Sequence, residues 1–452
     1  MPAVRPVAIL GGVRIPFCRQ NTAYADVGNL GMSVRTLGAL VERFGLHGQQ
    51  LGEVAMGAVI KHPSDWNLAR EATLSSGLSP LTPGLTLQRA CGTSLDALVT
   101  VANKIALGQI EAGIGGGSDT TSDVPIVYGK SLRARLLAAN RAKSMKERIA
   151  AFKGFRLSEL KPEFPGVAEP RTGKSMGQHC EDMAREWNVS RDSQDEWAVS
   201  SHRKLAAAYE RGFFADLVVP FRGVERDNIL RPDSSLEKLA TLKPAFDKAS
   251  GRGTLTAANS TPLTDGAAAA LLASDEWARA HSHAPLAWLR DAQVAAVDFV
   301  HGEGLLMAPT VAVAEMLGRN GLTLQDFDIY EIHEAFAAQV LCTLRAWEAR
   351  TTAASGWAWT RRWAGSIRRR STRSAPRWPP AIPSPPPAHA SWPPWPSNWP
   401  NAAAAARWCR SAPPAAWAWW RSSSAERPFR NHCRKRWQMR SPIKLPQHPA
   451  TA

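Results

Sequence analysis

Leu85-Thr86-Leu87-Gln88-Arg89-Ala90-Cys91-Gly92-Thr93-Ser94-Leu95-Asp96-Ala97 is an apolar run that ends at a cysteine, followed by small residues and then a helical pattern through Leu95, Leu98, Val99, Val101 and Ala102. The spacing predicts strand, sharp turn and helix, with the thiol on the turn. A helix N-terminus carries partial positive charge and favours thiolate over thiol. A cysteine so placed is a better nucleophile at neutral pH than one in a core. The plain alternative is a buried cysteine packed as a small hydrophobe.

Other motifs stand in order along the chain, the first of them before this stretch. They are Arg14-Ile15-Pro16-Phe17, Gly115-Gly116-Gly117-Ser118, Gly253-Thr254-Leu255-Thr256-Ala257, Asp265-Gly266-Ala267-Ala268 and His333-Glu334-Ala335-Phe336-Ala337. Gln88-Arg89-Ala90-Cys91-Gly92-Thr93-Ser94 resembles the nucleophile turn of the thiolases, enzymes that move an acyl group between a cysteine and coenzyme A. The other motifs resemble that family in the same order, over roughly residues 5–348. The resemblance implies an α/β chain with the layered αβαβα thiolase fold, two similar halves and an inserted loop domain. The first half would be residues 1–120 and 251–275, the loop domain 121–250, and a partial, incomplete C-terminal half 276–348.

At 452 residues the chain is long enough for two or three domains with real cores. It has no apolar run of membrane-spanning length and no charged-then-apolar start, so a cytoplasmic protein is expected. The six cysteines show neither paired spacing nor a metal pattern. His179, Cys180 and His202 fit no standard metal site, and no metal is expected. The net charge of +16 lies wholly beyond residue 350, where 17 Lys and Arg face one acid, Glu426. Residues 1–350 balance to zero, which gives no reason to expect nucleic acid as a partner.

Val7–Leu10 reads as a first strand, Leu30–Phe44 as a helix ending near Gly45, Val54–Ile60 as a buried strand and Asn67–Leu74 as a short helix. Ala112–Gly117 reads as a strand running into a glycine turn, which without a following Lys-Ser/Thr is no phosphate loop. This alternation argues for an α/β domain. Residues 132–155 then form a basic amphipathic stretch. It is either a solvated helical face, a surface for coenzyme A phosphates, or a membrane-surface contact. The resemblance here is strongest to the thiolase subunit of the fatty-acid-oxidation trifunctional complex, which implies a hydratase/dehydrogenase partner. Ser190 should cap a helix reaching Arg211. Pro309–Leu317 is a helix with proline at its start. Phe327–Ile332 reads as a strand ending at His333, and Phe336–Trp347 as a helix.

The resemblance implies thiolysis of 3-ketoacyl-CoA to acetyl-CoA and a shortened acyl-CoA through a Cys91 acyl-enzyme, with coenzyme A as substrate and no resident cofactor. His333 would help hold an oxyanion-binding water where most members carry asparagine. Thr261 would lie beside the pantetheine arm where a serine is usual, although Pro262 replaces a glycine there and the segment could be an ordinary polar turn. A homodimer or tetramer is implied.

Two further family motifs are missing from residues 349–452. They are a histidine within Gly-His-Pro, which activates the nucleophile, and a second cysteine closely followed by glycine. Neither Cys409 nor Cys433 has that glycine. This stretch holds 12 of the 18 Trp and 17 of the 33 Pro. Its bias suits disorder in Pro and Arg but not in Trp. Codon logic reads it better. Slid back one base, Arg377–Ser384 permits Leu-Ala-Thr-Gly-His-Pro-Phe, and Ser411–Trp420 permits Cys-Thr-Ala-Gly-Gly-Met-Gly. One base gained or lost between the Glu348 and Thr352 codons therefore accounts for both absences. The expectations are a frameshifted tail, impaired activity and poor solubility. The rivals are an inactive thiolase-like remnant and a protein whose basic tail binds nucleic acid or membrane.

Overall fold

The computed structural model describes residues 4–351, and the side chains to 348. The expectations for the chain beyond residue 351, including the shifted motifs and the basic tail, lie outside the described residues.

In chain order the elements are β1 (Val7–Arg14), β2 (Cys18–Arg19), α1 (Asn29–Arg43), β3 (Glu53–Gly57), α2 (Leu68–Leu74), β4 (Gly84–Leu87), α3 (Thr93–Ala106) and β5 (Ala112–Asp119). Then come β6 (Val127–Tyr128), α4 (Lys130–Arg141), α5 (Met145–Ala150), β7 (Pro162–Glu163), α6 (Met176–Glu186), α7 (Arg191–Glu210) and α8 (Leu236–Ala240). β8 (Thr264–Ser274), α9 (Asp275–Ala280), β9 (Ala287–Leu289), α10 (Ala308–Asn320) and α11 (Ala337–Thr351) complete the series.

The main sheet runs β4-β3-β5-β8-β1-β9, with β2 paired to the start of β8. β3, β4 and β5 are parallel, and β8 enters antiparallel between β5 and β1. Alternate residues of each strand feed different cores, as the two-residue period of a strand requires. Ala8, Leu10, Val54, Met56 and Leu271 meet α1 and α2 on one face. Val7, Ile9, Ala55 and Leu272 meet Leu98, Val101 and Ile105 of α3 on the other. This is an α/β fold with a mixed sheet covered on both faces. A smaller core joins Cys180 and Met183 of α6 to Leu255, Met307 and Cys342.

Local chemistry explains the ends of these elements. The Asn67 side chain accepts from Arg70 N, Ser190 accepts from Ser193 N, and Ser175 and Gln178 form a reciprocal capping box. Pro309 opens α10, and Gly321, at φ 63°, closes it.

The structure corrects three expectations. The strand expected over Val54–Ile60 stops at Gly57, because Val59 N and Ile60 N donate to the Asp119 carboxylate instead of a ladder. The glycine run is no turn but the interior of β5. A Cβ on Gly115 would lie 2.6 Å from Leu98 Cα and one on Gly116 2.4 Å from Ala268 O, so the missing side chains let α3 and β8 approach. Phe327–Ile332 forms no strand, and no partner ladder meets it among the described residues.

Candidate active site

The parallel register decides where the motifs meet. Leu87, Gly57 and Gly117 stand side by side at the carboxyl ends of β4, β3 and β5, and Gly117 faces Ala268 near the start of β8. Arg14, the last residue of β1, also faces Ala268. Motifs as far apart as Arg14 and Ala268 therefore share one edge of the sheet, the edge where open α/β sheets bind ligands.

Cys91 lies in the connection from β4 to α3, immediately before the Gly92 N-cap. Thr93 cinches this turn. Its Oγ1 accepts from Arg89 N at 2.8 Å and donates to Ala90 O at 2.7 Å. Gly92 N donates to Arg89 O, and Arg89 pairs with Asp96 in the first turn of α3. Ala90 is held at φ 41°, a left-handed conformation costing about 1 kcal/mol or more for a residue with a Cβ. Beneath the turn sits Gly57, where a Cβ would meet Leu87 O at 2.2 Å and Thr93 Cγ2 at 2.3 Å.

Cys91 is exposed, whereas Cys18, Cys180 and Cys342 are buried. Protein nevertheless crowds the Cys91 thiol, as in a recess. Desolvation raises its pKa, and the Asp119 carboxylate adds to the rise. A backbone hydrogen bond offsets part of this. The helix-end position is as expected, but the electrostatic balance is not. The thiol is held protonated, and attack requires a base to remove its proton.

Thr261 and His333 come together. Ser260 bridges Phe336, Thr261 N donates to Ala335 O at 3.1 Å, and Ala337 N donates to Asn259 O at 3.0 Å. Thr261 lies three residues before β8 and hence at the same sheet edge as Cys91. Among the described residues no hydrogen bond or ion pair joins Cys91 to either. Burial pushes the His333 pKa down to about 4, so its imidazole is neutral at pH 7.

Sequence reasoning missed the side chains that hold these loops. Glu334 accepts from Trp197 Nε1 at 2.9 Å and Ser201 Oγ at 2.7 Å, both on α7. Asn259 Nδ2 donates to Asp195 on the same helix at 2.9 Å. α7 therefore sets the spacing between the Thr261 and His333 segments. Buried Glu181 accepts from Thr254 N and Leu255 N. Asp265 accepts from Thr120, Thr121 and Ser122. Arg14 is buried against Asp227 with contacts of 2.7 and 2.9 Å. The acids within Asp-Gly-Ala-Ala and His-Glu-Ala-Phe-Ala were the only available signal. Their partners lie more than a hundred residues away in sequence.

His179, Cys180 and His202 have separate tasks. His179 Nε2 bonds Thr172 Oγ1 at 2.7 Å, Cys180 is core, and His202 Nδ1 accepts from Arg231 N. Among the described residues no group of three or more His, Cys, Asp or Glu is arranged to hold a metal ion, and no helix is long and apolar enough to cross a membrane.

The family model for the thiolase N-terminal domain matches residues 7–276, and that for the thiolase C-terminal domain matches 283–356. The 3-ketoacyl-CoA thiolases of Yersinia pestis (strain Pestoides F) and Yersinia pseudotuberculosis serotype O:1b are each 38% identical over 353 residues, covering 77% of this chain and 80% of theirs. The chain belongs to the thiolase family. As a thiolase it is an acyltransferase acting on coenzyme A thioesters. The crystal structure of the Bacillus anthracis acetyl-CoA acetyltransferase superposes on this thiolase with a TM-score of 0.66 at 30% identity, covering 77% of this chain and 84% of that one.

Proposed function

We propose that this thiolase chain carries the machinery for thiolytic cleavage of 3-ketoacyl-CoA in fatty acid β-oxidation, with Cys91 as nucleophile. The Cys91 sulfur adds to the 3-keto carbon. The bond between carbons 2 and 3 breaks, and the two-carbon fragment takes a proton and leaves as acetyl-CoA. The thiol of coenzyme A then attacks the acyl-enzyme, releasing the shortened acyl-CoA and regenerating Cys91. Neutral His333 would orient a water at the oxyanion, and Thr261 would flank the pantetheine arm. The observation that carries this reading is the exposed, recessed Cys91 at the sheet edge that also receives the Thr261 and His333 segments.

The two-half layered architecture with residues 121–250 as a loop domain, assembly as a homodimer or tetramer, and a hydratase/dehydrogenase partner belong to the same proposal. So does the change of reading frame after Glu348. With its pKa raised, the Cys91 thiol needs a base, which the Gly-His-Pro motif would supply. Without that histidine and the second cysteine, each loss costs on the order of a hundredfold or more in rate. A remnant without turnover is the second reading, favoured by the absence of both motifs.

The test compares the chain as written with one in which a one-base insertion or deletion between the Glu348 and Thr352 codons restores the frame. Thiolysis of a 3-ketoacyl-CoA should rise by about four orders of magnitude on restoration. Iodoacetamide should modify Cys91 before Cys18 or Cys342 in both chains. Full activity of the chain as written would refute the frame argument. Activity that survives Cys91→Ser in the restored chain would refute the nucleophile.

A further inference from the structure

We propose that Asp119 is a positioning residue for the nucleophile: its fixed carboxylate, set at the Cys91 end of α3, keeps the sulfur as a thiol until a base draws the proton off, and strengthens the thiolate then formed. The proposal rests on the reading of Cys91 as the nucleophile.

Packing brings the two groups together. Three glycines mark the path of α3 over the sheet. A Cβ on Gly113 would lie 2.8 Å from Val101 Cγ1, one on Gly115 2.6 Å from Leu98 Cα, and one on Gly57 2.3 Å from Thr93 Cγ2. Moving back along α3 from Val101 to Leu98 therefore answers to moving forward along β5 from Gly113 to Gly115. The helix runs antiparallel over the strand, and its first turn falls at the strand's carboxyl end. Cys91 stands just before that turn, and Asp119 is the last residue of β5.

The carboxylate is buried and held. Its Oδ2 accepts from Val59 N at 2.9 Å and its Oδ1 from Ile60 N at 3.0 Å. Both donors belong to the chain leaving β3, the strand between β4 and β5. The charge cannot swing away from the sulfur without giving up bonds to buried backbone.

The charges around it are directed elsewhere. Lys61 Nζ donates to Gln88 Oε1 and to Ala58 O, each at 2.9 Å. Arg89 pairs with Asp96 at 2.9 Å, and His62 with Asp123 at 3.1 Å, with Asp65 beside that pair. Asp265 of β8 accepts from Thr120 Oγ1 and from Thr121 N and Ser122 N. Each of these cations thus faces a partner other than the sulfur. On the Cys91 thiol burial acts first and the Asp119 charge second, both against ionisation.

Two consequences follow for the chemistry. A sulfur kept as thiol is spared stray oxidation and alkylation while no base is aligned. Once the proton is gone, the same carboxylate favours attack, because a thiolate gains about threefold in nucleophilicity for each tenfold fall in its resting fraction. Acylation turns the sulfur into a neutral thioester and removes its opposition to the carboxylate.

The test treats the full chain with dithiodipyridine. The Cys91 thiolate attacks one sulfur of the reagent, forms a mixed disulfide and releases pyridinethione. Modification is timed peptide by peptide by mass spectrometry across a pH series. The parent should show a midpoint for Cys91 above about 8.5, the value of a free cysteine. Asp119→Asn should move the midpoint down, speed modification at pH 7 by about twofold or more, and lower the limiting rate at high pH. Asp119→Glu, which keeps the charge, should hold the parental midpoint. A turn merely loosened by Asp119→Asn would raise the rate by one factor at every pH, and that result overturns the proposal. So does an unchanged profile in Asp119→Asn, or a parental midpoint at or below about 8.5, which needs no variant. These outcomes leave Cys91 standing as nucleophile. A Cys91 unmodified at every pH removes that reading, and the proposal with it.

Discussion

Removing the Asp227 carboxylate tests the framework of the site edge. Both side chains of the Arg14–Asp227 pair are fully buried. Asp227 Oδ1 accepts from Arg14 Nη1 at 2.7 Å and from Phe17 N at 2.7 Å, and Oδ2 accepts from Arg14 Nη2 at 2.9 Å. Burial alone pulls the Arg14 pKa down, but attraction to Asp227 and its hydrogen bonds carry it above the ordinary value, so the guanidinium stays charged. In Asp227→Ala that charge remains, flanked by the rings of Phe17 and Phe214 at 4.6 and 5.3 Å with no carboxylate to face. Orphaning a buried charge costs about 3–5 kcal/mol. That is a fifth or more of the stability of an ordinary domain, on the order of 5–15 kcal/mol. Thermal unfolding followed by circular dichroism should show a Tm lower by roughly 5–15 °C. Arg14→Met/Asp227→Leu, which removes both charges and fills the space, should recover most of the loss. A cost below about 1 kcal/mol for Asp227→Ala, or a double variant less stable than the single, would refute the reasoning.

Two further outcomes follow from the site. Gly57→Ala places a methyl against Leu87 O and Thr93 Cγ2, so it should wedge the nucleophile turn open, destabilise by about 1–3 kcal/mol or more, and slow Cys91 alkylation; unchanged unfolding and unchanged alkylation would contradict the close approach. His333 has a folded pKa near 4 against about 6.5 unfolded, so the unfolded chain takes up the proton first and stability should fall as pH drops from about 6.5 to about 4, by on the order of 3 kcal/mol at most; His333→Asn should flatten that part of a denaturation-against-pH curve.

Local chemistry was legible in the sequence wherever a few neighbouring residues decide the outcome. Ser190 and Arg211 bound α7, Pro309 opens α10, and Cys91 stands on a strand–turn–helix, because caps, prolines and periodicity act over one or two turns of chain. The glycines of β5 misled, because a glycine accommodating a neighbour's backbone and a glycine in a turn look alike in one dimension. Val59 and Ile60 continue an apolar run, and only the arrival of Asp119 from the next strand explains why they leave the ladder. The Cys91 thiol is raised first by burial and then by that same carboxylate, 28 positions further on, and neither cause is visible in the local sequence. The gathering of the motifs at one edge follows from strand order and register, which pair Arg14 with Ala268 across more than 250 residues. No local pattern encodes that pairing.

β8 also sets an order of events during synthesis. It is the central strand of the main sheet and is buried along its whole length, yet it arrives only with residues 264–274. Until then β1 and β5 present open edges to the nascent chain and its surroundings. Once Ser274 has emerged, the sheet can close around β8 and fix the Cys91 turn, and every strand that this closure needs has been made before the ribosome reaches Glu348. Whatever is read from the message after that point is added to a half that can already have assembled. A late change of frame would therefore remove chemistry from this chain while sparing the architecture that presents the nucleophile.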